Sequence, residues 1–424
     1  MRRAWADDAV LLLAAAGAVP ARADAPSADA PPPAIRVSGE LRERVTWQSA
    51  IAFDNADPDA GLVWTQRIAL AADAAPAPAL RVRAALVSAL IEGAARLSPA
   101  ERNDLDLQEA YVEFGPGSDF LRLGRQEFRL GSQRLIAVRD GTTVRRTWDG
   151  ARGHAVLGKV AIDAFALRLV KVRSGGVFND RRDEGRDLAG VQASLTSAPG
   201  TIEAYWLSTT HDDRRTIEGT GDERRHSFGL RAAGERKGWF WDWEGVVQTG
   251  RSGAASIRAW TLATKTGYRW EAHRWKPEVM LSTNIASGDD ARGDGTLGTF
   301  NALYPNASYF SEDAVLGPAN FFNIHPYAKV RPRADLTLGL DLNLFWRLER
   351  GDGIYNPQGQ LIRAPGSARQ RFVDAALSGV IEWTPRAGML VSLAATRSQP
   401  QGFIRATGRA DPSDFVEATL QFTF

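Results

Sequence analysis

The stretch "LTLGLDLNLFWRL", residues 336–348, alternates with a period of two. Leu336, Leu338, Leu340, Leu342, Leu344, Trp346 and Leu348 fall on one side, and Thr337, Gly339, Asp341, Asn343 and Arg347 on the other. Only Phe345 breaks the pattern. Successive strand residues point to opposite faces, so this is a strand with one apolar and one polar side. Seven apolar residues on one face is long for a soluble strand but suits the apolar-out, polar-in strand of an outer-membrane barrel. "IRVSGELRERVTW" repeats the pattern, with Ile35, Val37, Leu41, Val45 and Trp47 against Arg36, Ser38, Glu40, Arg42 and Arg44.

Period-two runs predict strands near 35–47, 62–73, 79–90, 106–115, 119–128, 147–157, 160–172, 186–196 and 200–210. Further strands are predicted near 224–234, 238–249, 255–268, 274–287, 320–330, 334–348, 370–384, 387–397 and 413–424. The connections alternate between short turns such as "GPGS" and "SAPG" and long loops near 48–61, 91–105, 129–146, 173–185, 211–223, 288–319, 349–369 and 398–412. Short turns at one end and long loops at the other predict an all-β fold: a transmembrane up-and-down antiparallel barrel of about 18 strands. Closure leaves no sheet edge to aggregate.

The ends agree with export. Arg2 and Arg3 precede the apolar run "AVLLLAAAGAV" and the small residues of "PARADA", the pattern of a secretory signal over 1–23. A Pro-rich linker over 24–34 leads into the barrel, 35–424. The last strand alternates Val416, Ala418, Leu420, Phe422 and Phe424 and stops on that aromatic residue, like the signal that outer-membrane assembly reads. The absence of cysteine rules out disulfides and thiolate sites, and a net charge of +2 argues against nucleic-acid binding. The thirteen tryptophans, Trp239, Trp243, Trp270 and Trp275 among them, suit interfacial girdles.

With the polar phase turned inward, the lumen collects Arg42, Arg81, Arg83 and Arg347, beside Glu109, Glu113, Asp341 and Asp374. Of 52 basic residues only six are lysine, and arginine grips carboxylate or phosphate with a planar fork. Internal ion-pair struts account for many of these charges; the others are candidates for an anion pathway. The loop after the fifth strand is denser still: residues 124–150 hold six arginines and no lysine. Folded inward, Arg129, Arg134, Arg139, Arg145 and Arg146 would line a constriction, with Glu127, Asp140 and Asp149 as counter-charges.

"LQEAYVEF", "LRLGRQEFRLGSQRL", "RDGTTVRRTWDG", "FNALYPNASYF" and "GPANFF" together resemble the alginate-export outer-membrane family, most specifically over 107–150 and 299–323. The resemblance implies an eighteen-stranded monomeric barrel with an arginine-rich pore that passes an anionic uronate polysaccharide. It makes Arg125, Arg134, Arg139, Arg145 and Arg146 the leading pore candidates, with Glu127, Asp140 and Asp149 as their partners.

Other chemistry finds less support. "ASGDDARGDG" lacks the spacing of a calcium loop, and five scattered histidines make no metal site. No polar phase gathers a Ser, a His and an acid, so no enzyme and no cofactor is expected. The reading is a passive outer-membrane channel for anionic polysaccharide or small organic anions. Its expected neighbours are membrane lipid, lipopolysaccharide and periplasmic export partners. The alternatives are a general anion-preferring porin for uptake, a plugged structural or adhesive barrel, and a lipid-modifying barrel enzyme.

Overall fold

The computed structural model describes residues 35–115, 117–306 and 313–424. The expected signal over 1–23 and linker over 24–34 lie outside them, as does part of "FNALYPNASYF". The first half of the wall is β1 (Ile35–Gln48), β2 (Gly61–Ala77), β3 (Leu80–Glu92), β4 (Asn103–Phe114), β5 (Phe120–Glu127), β6 (Thr147–Leu157), β7 (Val160–Lys171), β8 (Arg181–Ser197) and β9 (Gly200–Thr216). The second half begins with β10 (Gly219–Arg236), β11 (Trp239–Ser252), β12 (Ala255–Arg269) and β13 (Glu278–Ala286). It ends with β15 (Phe321–Arg333), β16 (Leu336–Arg347), β19 (Phe372–Arg386), β20 (Met389–Pro400) and β21 (Ser413–Thr423). Within the loops lie the two-residue β14 (Thr296–Leu297), the hairpin β17 (Ile354–Tyr355) with β18 (Leu361–Arg363), and the short helix α1 (Gly402–Thr407).

The main sheet has 19 strands, and without β14 eighteen remain, each antiparallel to its neighbours. Residues 40–48 of β1 pair with residues 423–415 of β21, which closes the barrel. At this seam Gly39 and Phe424 exchange both backbone hydrogen bonds at 3.1 Å. Closure satisfies every strand edge, the condition for crossing lipid with strands. The outer face carries exposed Leu62, Ile68, Leu70, Leu230, Val247, Leu340 and Leu377. Tryptophans sit at both ends of the wall: Trp47 at the loop end, and Trp239, Trp270, Trp275 and Trp383 at the turn end.

Two features depart from simple alternation. Residues 211–223 are not a long loop, because β9 and β10 run on through them to the two-residue turn Ile217–Glu218, with a bulge between Gly221 and Glu223. "HDDRRTIEGTGDERRH" is charged in both phases, so it shows no apolar rhythm even though its backbone is paired. The inner face is also apolar in one sector. Phe165, Leu167, Leu188, Tyr205, Leu207 and Val246 are buried there against Phe128, Leu130, Leu135 and Ile136 of the loop 128–146. Phe345 belongs to the same cluster and stacks on Phe321 at 5.2 Å, which explains its place in the polar phase of β16.

Candidate functional site

The loop 128–146 folds into the barrel and crosses it. One end is held on β11, with β10 beside it. Ser132 Oγ donates to Glu244 at 2.6 Å, and Arg134 bridges Asp242 (3.1 Å) and Glu244 (2.9 Å). Arg231 holds Asp242 from the other side at 2.9 Å and ties it to Glu203 at 2.7 Å.

The other end is held on β1 and β2, nine strands of eighteen away and so across the barrel from β10 and β11. Arg42 donates to the carbonyls of Asp140 (2.7 Å) and Thr142 (2.6 Å), and Arg44 to that of Gly141 (2.5 Å). Arg67 pairs with Asp140 at 2.7 Å and with Glu40 at 2.6 Å. Arg145 returns from the loop to Glu40 at 2.7 Å, contacts Asp140, and lies 4.0 Å from Glu127. Burial alone would raise the Asp140 carboxyl, but Arg67, Arg145 and Arg42 outweigh it and hold it far below the usual carboxylate range.

The remaining candidates are placed as follows. Arg81 pairs with Asp73 (2.6 Å) and Arg83 with Glu109 (2.6 Å), while Glu113 takes Arg122 at 2.5 Å. These form a ladder on the inner wall towards the turn end. Arg125 shares the exposed phase of Leu121 and Leu123 and pairs with Asp149 at 2.9 Å. Arg129 is exposed. Arg347 is fully buried, donating to the carbonyls of Gln370, Arg350 and Asp352 and lying 4.1 Å from the Phe403 ring. Asp341 accepts from His325, and Asp374 is buried beside Ser398.

On the loop side of this bar lies a cavity of about 1280 Å³. Its lining includes Arg139, Arg146, Lys171, Arg186, Arg214, Arg215 and Arg292 against Asp183, Asp213 and Glu223, so seven cations face three carboxylates. Arg214 and Arg186 have acidic partners, Glu223 at 3.2 Å and Asp183 at 3.4 Å. Arg139 and Arg146 donate only to carbonyls, Arg139 to Val144 (3.3 Å) and Arg146 to Ala137 (2.9 Å) and Tyr304 (2.5 Å). Tyr304 ties the loop 287–320 to the bar, exchanging backbone hydrogen bonds with Ala137 and Leu135, and its ring meets Trp148 edge-on at 4.8 Å.

Sequence reasoning missed Arg67, Arg186 and Arg214. Arg67 was findable from its phase, since Thr65, Arg67 and Asp73 alternate with Ile68, Leu70 and Ala72. Arg186 and Arg214 sit where strands rise beyond the apolar band and carry no such signal.

A sequence profile of the alginate export family matches residues 34–416. The chain belongs to the alginate export family. A search of curated proteins returned no match. Solved structures with the same fold include OccK2 (OpdF) of Pseudomonas aeruginosa in complex with glucuronate. It is 12% identical, with a TM-score of 0.60 over 92% of this chain and 98% of that one. OpdK of the same organism with vanillate is 11% identical, with a TM-score of 0.62 over 92% and 98%. A BenF-like porin from Pseudomonas fluorescens Pf-5 is 9% identical, with a TM-score of 0.63 over 92% and 98%. This alginate export family member is thus an outer-membrane barrel of the porin-like, channel-forming kind.

Proposed function

We propose that the protein is a passive, non-enzymatic channel for carboxylate-bearing solutes, uronates of the alginate type among them, and that the cavity above the bar is where they are gathered. The observation that carries this is the pair Arg139 and Arg146. Both line the cavity, and among the described residues neither has a carboxylate at ion-pair distance, Glu101 acting on Arg139 only from farther away. Most arginines of the wall and bar are already neutralised and frame the passage. This pair, together with Lys171, Arg215 and Arg292, which also have no ion pair among the described residues, supplies the cavity's positive field. Arginines at several modest sites suit conduction, in which an anion must be attracted and then released.

A second reading, an anion-preferring porin for small solutes, is favoured by the bar itself, which narrows the lumen. The fold neighbours named with vanillate and glucuronate, both carboxylates, are consistent with either. The test is the reversal potential in a salt gradient for the parent protein and for Arg139→Gln with Arg146→Gln. The double variant should lose anion preference while still conducting. An unchanged reversal potential would remove the cavity from the pathway.

A further inference from the structure

The outer wall of β9–β12 carries a cationic cluster that the pore does not use. In the outward phase, Trp206, Phe228, Val247 and Trp260 are cross-strand neighbours in one row, each at least 39% exposed. One step towards the loop end the row is Ser208, His226, Thr249 and Arg258, with His226 stacked on Trp206 at 6.0 Å. One step further it is Thr210, Arg224, Arg251 and Ser256. The apolar band therefore ends against Arg258, Arg224 and Arg251, all exposed and, among the described residues, without a carboxylate partner.

The same register around the barrel makes this distinctive. On β5–β8 the corresponding row reads Arg125, Asp149, Arg168 and Asp187, alternating in sign and neutralising itself. On β10 and β11, however, Arg224 directly opposes Arg251. Like charges directly opposite across strands are unfavourable unless an anion bridges them. The next carboxylates in this phase, Asp212 and Asp222, form no ion pair with these arginines among the described residues, and Asp222 sits at the bulge and accepts the backbone N–H of Asp213.

We propose that Arg224, Arg251 and Arg258 form a binding site for a phosphorylated glycolipid of the outer leaflet. Adjacent strands are about 4.8 Å apart, which lets one phosphate take a fork from each of two guanidinium groups. An acyl chain then lies over the Trp206–Phe228–Val247–Trp260 row. Arg125–Asp149–Arg168–Asp187 has no spare charge for a second phosphate.

The test uses delipidated full-length protein in detergent, with bis-phosphorylated lipid A as the probe and binding read by native mass spectrometry. Arg224→Gln with Arg251→Gln should weaken binding about ten-fold or more, while Arg168→Gln should not. Arg258→Gln is the fallback if the double variant does not fold. In lipid-free detergent the double variant should unfold no earlier than the parent, since it removes a like-charge contact. Equal affinity for parent and double variant would overturn the proposal. So would equal binding of dephosphorylated lipid A, or phosphatidylglycerol binding as tightly as lipid A.

Discussion

Asp140→Asn is the perturbation that most directly probes the transverse bar. The substitution keeps the shape of the side chain and its backbone carbonyl, which Arg42 also grips, but removes the charge that faces Arg67 and Arg145. Breaking a buried pair by removing one partner costs roughly 3–5 kcal/mol, because it strands the other charge. The lower end applies here, since Glu40 still holds Arg67 at 2.6 Å and Arg145 at 2.7 Å. A loss of about 3 kcal/mol multiplies the ratio of undocked to docked loop about 150-fold. Two outcomes follow in one preparation: larger or flickering single-channel currents, and faster protease cleavage within 128–146. Because the cluster is buried, high salt should not abolish the difference. Parent-like currents together with a parent-like cleavage pattern would refute the claim that this ion cluster holds the bar in place.

Three further outcomes are expected. Asp289 is raised to about 6, chiefly by burial and then by the nearby charges of Glu218 and Asp352. A carboxyl raised on folding contributes most below its unfolded value of about 3.9 and loses that contribution as pH rises through about 6. Hydrogen exchange around 287–300, corrected for intrinsic rate, should therefore speed up between pH 4 and pH 7, and Asp289→Asn should flatten the change. Trp148→Ala removes a fully buried ring lying against Tyr304, so thermal unfolding should show a loss of about 3–5 kcal/mol. A Cβ on Gly124, which has a positive φ, would sit 2.3 Å from the Ala110 backbone carbonyl oxygen on the neighbouring strand, so Gly124→Leu should reduce the yield of the heat-modifiable folded band on gels.

The barrel was legible because lipid enforces one rule on every strand: apolar outward, with all backbone groups paired. Where that rule lapses, the sequence says less. Beyond the apolar band, β9 and β10 continue through "HDDRRTIEGTGDERRH" with charges on both faces, and periodicity vanishes although hydrogen bonding does not. Inside, the equation of lumen with polar phase fails wherever a loop packs on the wall, as Phe165, Leu167 and Leu207 show. The arginine density of 124–150 pointed to the right loop, but composition cannot separate a strut from a free charge. That distinction comes from distance: Arg134 and Arg145 have carboxylates within 2.9 Å, whereas Arg139 and Arg146 meet only carbonyls. Arg125 was ambiguous for a local reason. Its strand, β5, has Gly124 in a positive-φ conformation at the point where the phase must be read.

The most direct test of an anion-gathering channel is single-channel conductance of the refolded protein in a planar bilayer, with an oligouronate added on either side and a neutral oligosaccharide of equal length as control. Anion-selective current, blocked by the uronate added from the loop side and not by the neutral sugar, is the predicted result. Current without anion preference, or no current from a barrel shown to be folded by its heat-modifiable band, would contradict it.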